Sequence, residues 1–241
     1  MKKRFQLVIV FVVFAVITYL DRNAISSIGG DITKELGLSD EQWGLVLAAF
    51  SLAYGAFEIP TGMMVDKSGP KKTLIRIFLW WSIFTILTGF ATGFYFLIIV
   101  RFLFGAGEAG AFPTASVAIA RWFPLSERGG IQSIMWMGSR LGGALAPMLS
   151  IWLSSMYGWR GVFFIFGSLG LVWVAYWWFW FKDEPREMKG ITEAEVKEIE
   201  EGRTFKTITH SLIPWKTVLR DTNLWALMGM YHCLLYGAYF Y

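Results

Sequence analysis

Long apolar runs broken by short polar stretches organise this chain. The first, FQLVIVFVVFAVITYL, follows directly on Met1-Lys2-Lys3-Arg4 and ends at Asp21. Charge followed by an apolar core resembles a secretory signal, but the core is too long and lacks a small-x-small cleavage site, so it predicts a retained helix at about 5–28. Further runs approach the ~20 residues that cross a hydrocarbon core. They predict spans at about 41–64, 74–91, 94–120, 131–155 and 159–181, with Gly, Pro and polar residues between them. A seventh apolar segment begins near Asn223 and runs to Tyr241. The expected organisation is a six-helix transmembrane bundle over 1–181, a cytoplasmic central loop with short helices over 182–220, and the start of helix seven over 221–241.

Within the central loop, Ile191-Thr192-Glu193-Ala194-Glu195-Val196 has the form of a capping box. Thr192 is expected to bond forward, Glu195 to reach back, and Ile191 and Val196 to form the hydrophobic staple. Pro214-Trp215 predicts an interfacial helix leading into the seventh segment, and the charged run before it reads as a solvated linker.

Composition agrees with an all-α integral membrane protein: hydrophobic residues make up 55% of the chain and mean hydropathy is +0.49. A net charge of +4 would suggest an acidic partner in a soluble chain. Here topology accounts for it. With the amino terminus cytoplasmic, Lys2, Lys3, Arg4, Lys67, Lys71, Lys72, Arg76, Arg121, Arg128 and eight basic residues between Lys182 and Arg220 lie inside, and only Lys34 and Arg160 outside. The expected location is a plasma membrane, or the inner membrane of a Gram-negative cell, with lipid as the surroundings and no nucleic-acid partner. Cys233 is the single cysteine, and His232 beside it diverges on a helix with no third ligand, so no metal site is expected. No nucleotide loop, nucleophile elbow or zinc-protease helix is present, so the chain is not expected to be an enzyme and no cofactor is implied beyond a proton or sodium gradient.

Chemistry is concentrated in charges inside the spans: Asp21, Arg22, Glu58, Arg101, Glu108 and Arg140. An ionised side chain at bilayer depth costs at least about 2.5–3.5 kcal/mol, so each needs a partner, water or a substrate. Three acids and three bases can neutralise one another, either as fixed ion pairs or as the lining of a polar cavity. Arg101 and Glu108, seven positions apart, share a helix face. Arg22 shares a side with Thr18 and Tyr19, which puts it in the cavity and leaves Asp21 as its packed neighbour. Tyr54 and Glu58, four apart, can line the same cavity, although Glu58 lies near Pro60 and could instead reach headgroup water. Arg140 is open to cavity contact or a structural ion pair. Gly138, Gly142 and Ala146 recur every four residues, a stripe for close helix packing.

Two spacings carry a resemblance. Gly62-x-x-x-Asp66-Lys67-x-Gly69, followed by Pro70, Lys71 and Lys72, is similar to the loop signature of the major facilitator superfamily, with Pro70 standing where the pattern has a basic residue. Leu97, Arg101, Gly105 and Gly107 resemble its fourth-helix signature, and Tyr157-Gly158-Trp159-Arg160 its junction before helix six. Within that superfamily, Tyr19-Leu20-Asp21-Arg22, RFLFGAGEAGAFP and Arg121-Trp122-Phe123-Pro124 with Glu127-Arg128-Gly129 resemble the anion:cation symporter family, which includes hexuronate, glucarate and galactonate permeases. The resemblance covers the whole chain as an amino-terminal half. It implies a secondary transporter, proton-coupled, moving a small organic anion such as a sugar acid. Arg22, with Tyr19 and Tyr54, would bind the substrate; Asp21, Glu108 and Arg101 would couple the proton; Gly62, Asp66, Lys67, Gly69 and Lys71 would form the conformational loop. A cavity of that kind needs a carboxy-terminal half or a second copy. A non-transporting membrane interaction protein and a homodimer of half-carriers are the alternatives.

Overall fold

The computed structural model describes residues 2–202 and 215–240, and the side chains of all of these except 215, 216 and 235–240. Pro214 and Tyr241 lie outside the described residues, and the side chain of Trp215 outside the described side chains. The chain divides into two units, Met1–Thr204 and Phe205–Tyr241.

The first unit is helical throughout its membrane part. Helix α1 spans Lys3–Ser27, a short α2 covers Gly29–Leu36, and α3 runs over Asp40–Thr88. Helices α4 (Phe94–Glu108), α5 (Ala111–Trp122) and α6 (Leu125–Trp180) follow. Four stretches, Lys3–Ser27, Asp40–Thr88, Phe94–Trp122 and Leu125–Trp180, are long and apolar enough to cross a bilayer. Two of them are pairs of helices joined at a glycine. Gly69 (φ 73, ψ 162) bends α3 and Gly158 (φ 69, ψ 166) bends α6, both in a backbone region that residues with a Cβ enter only at a cost of about 1–3 kcal/mol. The same joint thus recurs between the second and third helices of each half, as expected of a bundle built from two three-helix repeats.

The loop motif turns within the predicted gap between the second and third spans. The helix continues through Gly62 to Ser68, and the chain turns only at Gly69. Pro70 then becomes the first residue of the next helix, where a missing N–H costs nothing. Asp183, at the end of α6, accepts a hydrogen bond from the Lys71 amide at 2.8 Å and so caps that helix. Burial pushes the Asp183 carboxyl up from its ordinary range, and the Lys71 amide pulls against that shift. Asp66 is exposed and makes no hydrogen bond or ion pair among the described residues.

The fourth span, expected as one helix over 94–120, is broken after Glu108. Gly110 takes φ 82 and α5 starts afresh at Ala111. Pro113 supplies the reason: it has no amide to donate to the Ala109 carbonyl, so an uninterrupted helix would lose that bond and meet the proline ring.

Packing is close where side chains are small. A Cβ on Gly142 would sit 2.5 Å from the Val16 carbonyl oxygen of α1, and one on Gly138 would sit 2.9 Å from that of Val12. Aromatic rings fill the core between α1, α3 and α6: Phe78 stacks on Trp173 at 4.0 Å between centroids, Trp173 on Trp177 at 5.0 Å and Trp177 on Phe181 at 3.9 Å. Each such pair contributes about 0.5–1.5 kcal/mol beyond its buried area.

The charged run expected as a solvated linker falls on residues outside those described, whereas the part of the central loop before it forms the expected short helix and packs on α1. Its helix α7, Glu193–Glu201, is capped by Thr192, whose side chain accepts from the Glu195 amide at 3.3 Å. Glu195 does not reach back to complete the box. Buried to 3% exposure, it accepts from the backbone amides of Lys3 at 3.1 Å and Arg4 at 2.8 Å. Helix α1 has no side-chain cap of its own and no acid in its first turn, so its orphan amides take the carboxylate. Arg4 also pairs with Glu198 at 2.7 Å and Glu127 at 3.1 Å, and the Leu125 amide donates to the Gly202 carbonyl. Hydrogen bonds from Lys2 and then Arg4 hold the Glu198 carboxyl below the usual range.

The second unit contains α8, Trp215–Val218, and α9, Thr222–Phe240. The Asp221 side chain accepts from the Asn223 amide at 2.9 Å at the start of α9.

Candidate functional site

A buried cluster of charge joins α1 to the first helix of the second repeat. The Arg22 Nε donates to Glu108 Oε1 at 3.0 Å; Nη2 also comes within 2.7 Å, too far off-line to donate. The Glu108 side chain is 1% exposed and that of Arg22 15%, so the pair opens only on the arginine side. Three rings surround the guanidinium: Tyr54 with its centroid 4.7 Å away, Phe50 at 5.0 Å and Tyr19 at 5.3 Å. Phe50 and Tyr54 are one helical turn apart on 40–68, which lets both rings meet the same cation.

Asp21 points away from this opening. Its Oδ2 accepts from the Trp81 indole N–H at 2.8 Å, and Oδ1 is buried with no hydrogen-bond partner. Arg101 is 3% exposed, its guanidinium against the rings of Phe104 at 4.6 Å and Phe50 at 5.1 Å, with Nε unpartnered. The acid expected beside Arg101 on its own helix pairs with Arg22 instead. Seven residues return to the same face but climb about 10 Å, so a side chain from the facing helix reaches Glu108 first.

Glu58 is half-buried and Arg140 exposed, and neither makes a hydrogen bond or ion pair among the described residues. Lys67 is exposed, and the loop residues Gly62, Asp66, Gly69 and Lys71 belong to the α3 bend, apart from the Arg22 cluster. Two participants escaped the sequence reading. Phe50 was findable as the residue one turn before Tyr54, whereas Trp81 is sixty residues from Asp21 and only packing brings it there.

Chemically, the arrangement is a cation on an open aromatic face whose charge is already answered by a buried carboxylate. A charge-assisted contact of this kind holds the guanidinium in place for as long as the carboxylate is ionised.

Ionisable residues buried inside membrane spans mark substrate, ion or proton pathways, and many secondary transporters place such sites between repeated groups of helices. The chain belongs to the Major Facilitator Superfamily, which it matches over residues 11–241, a family of transporters rather than enzymes. It is 37% identical, over 100% of its own length and 56% of the relative's, to the Probable sulfoacetate transporter SauU of Cupriavidus necator. It is 33% identical to the hexuronate transporter of Bacillus subtilis, covering 88% of this chain and 50% of that one. Among solved structures, an inward-facing bacterial homolog of the human lysosomal transporter Spinster superposes with a TM-score of 0.70 at 27% identity, over 80% of this chain and 46% of the other. The chain spans about half the length of the curated relatives it matches.

Proposed function

We propose that this chain forms the amino-terminal half of a proton-coupled carrier for small organic anions, sugar acids among them. The observation that carries the reading is the Arg22–Glu108 pair, one buried carboxylate against the one partly open guanidinium of the cluster. Protonating Glu108 while an anion sits on Arg22 keeps the site neutral, so proton and anion favour each other's binding. Relatives named for sulfoacetate, D-galactonate and hexuronate support an anionic substrate. The lysines and arginines on one side of the spans support an inside amino terminus in a plasma membrane, and a carboxy-terminal half or second copy would complete the cavity.

Glu108→Gln in the full-length carrier tests the coupling. The amide keeps an oxygen for Arg22 but cannot cycle a proton, so proton-driven accumulation is lost while substrate exchange across the membrane remains measurable. Uphill uptake with unchanged pH dependence removes Glu108 from this role.

A further inference from the structure

Arg140 is a charge that no described residue answers. It lies well inside helix 125–157, is exposed, and has no ion pair or hydrogen bond among the described residues. Facing lipid there would cost at least about 2.5–3.5 kcal/mol, so its side of the helix is better matched to a polar space.

Its neighbours show which space. Trp136, one turn earlier, stacks on Phe112 at 4.6 Å with the rings 6° from parallel, and Phe112 meets the edge of Tyr19 at 6.2 Å. Gly143, about one turn later, faces Tyr19 and Asn23 of α1: a Cβ there would lie 3.7 Å from the Tyr19 ring and 3.4 Å from the Asn23 Nδ2. Residues 136, 140 and 143 fall within about 60° of one another around a helix, so Arg140 sits on the stripe that faces Tyr19. Tyr19 is also one of the rings around Arg22. The two guanidiniums therefore approach the same side of the bundle from neighbouring helices.

Their electrostatic situations differ. Glu108 answers Arg22, whereas no described carboxylate answers Arg140: Asp21 is bonded to Trp81, and Glu58, on helix 40–68, makes no ion pair among the described residues. We propose that Arg140 is a second anion-binding group of this site, so that the carrier selects substrates bearing two anionic groups, one for Arg22 and one for Arg140. This rests on the organic-anion reading above and adds to it the charge class of the substrate.

Matched acids test it, each pair differing by one anionic group: D-gluconate against D-glucarate, and glycolate against sulfoacetate. Isothermal titration of the purified full-length carrier should show the dianion of a pair binding about tenfold or more tighter than the monoanion, the worth of one charge-assisted contact. Arg140→Gln should remove that advantage and leave monoanion affinity within about twofold, which also reports that the variant is folded; Arg140→Lys should restore part of it. Equal losses for both members of a pair, or no loss for either, overturn the proposal. Monoanion binding with no preference for the dianion in the unaltered carrier overturns it too, while leaving the organic-anion reading in place. Binding of none of the four acids removes that reading and this one with it.

Discussion

Asp21 shows how much a single partner matters at the residue scale. Its carboxyl is 1% exposed and has one hydrogen-bond partner, the Trp81 indole. Leaving a buried polar group without a partner costs about 1–3 kcal/mol, whereas removing both members of a pair is often nearly neutral. Trp81→Phe is therefore expected to destabilise the protein by about 1–3 kcal/mol when Asp21 is present, and by clearly less in an Asp21→Leu background. Denaturant unfolding of the purified protein gives all four corners of that cycle. A coupling energy near zero would falsify the idea that this bond holds Asp21 in place.

At the scale of an element, the informative pair is α1 with α7. Glu195 satisfies two of the orphan amides of α1, and its negative charge lies at the positive end of the helix dipole. Glu195→Ala should cost about 1–2 kcal/mol, within the range for losing an N-cap. Because the contact also pins α7, its loss should let that helix open more often. Trypsin cleavage after the exposed Lys197 is expected to speed up roughly fivefold or more, since 1 kcal/mol corresponds to about that factor in an opening equilibrium. Unchanged cleavage would mean that Arg4, Glu198 and Gly202 hold α7 without Glu195.

The first unit as a whole is tied at both ends of its helices. On one side, the strap from 182 to 202 meets α1 and the starts of helices 70–88 and 125–157. On the other, Glu35 accepts from Trp159 at 2.7 Å and pairs with Arg160, whose Nη2 also donates to the Ala91 carbonyl. Hydrogen bonds from Arg160 and then Trp159 hold the Glu35 carboxyl below its ordinary value. A depressed carboxyl stabilises the fold above its unfolded pKa, about 4.3 for glutamate, and that contribution fades as pH falls through the lower folded value. Glu35→Gln should thus lower the melting temperature at neutral pH, with the difference from the unaltered protein shrinking below about pH 4. The effect should be small and should shrink with added salt, because the pair is exposed. A difference that stays constant down to strongly acid pH would show that the carboxylate charge is not involved.

Much of this was legible in order along the chain. Apolar runs located the helices because a bilayer permits few other structures, and charges stranded within them marked Asp21, Arg22, Arg101 and Glu108, since burial of charge is too costly to be incidental. The superfamily's spacing around Asp66 and Arg101 was equally readable. What the sequence could not decide is who meets whom. Glu195 had a plausible local use in its own helix and serves α1 instead; Glu108 had Arg101 on its own face and pairs with Arg22; Asp21 found Trp81. A one-dimensional pattern states which groups need partners, but several partners satisfy the same need, and the choice falls to whichever lies within about 3 Å once the helices have packed. The break after Glu108 belongs to both levels: Pro113 announced a defect in the ladder, and only the close approach of Thr61 to Gly110 shows where the chain turned.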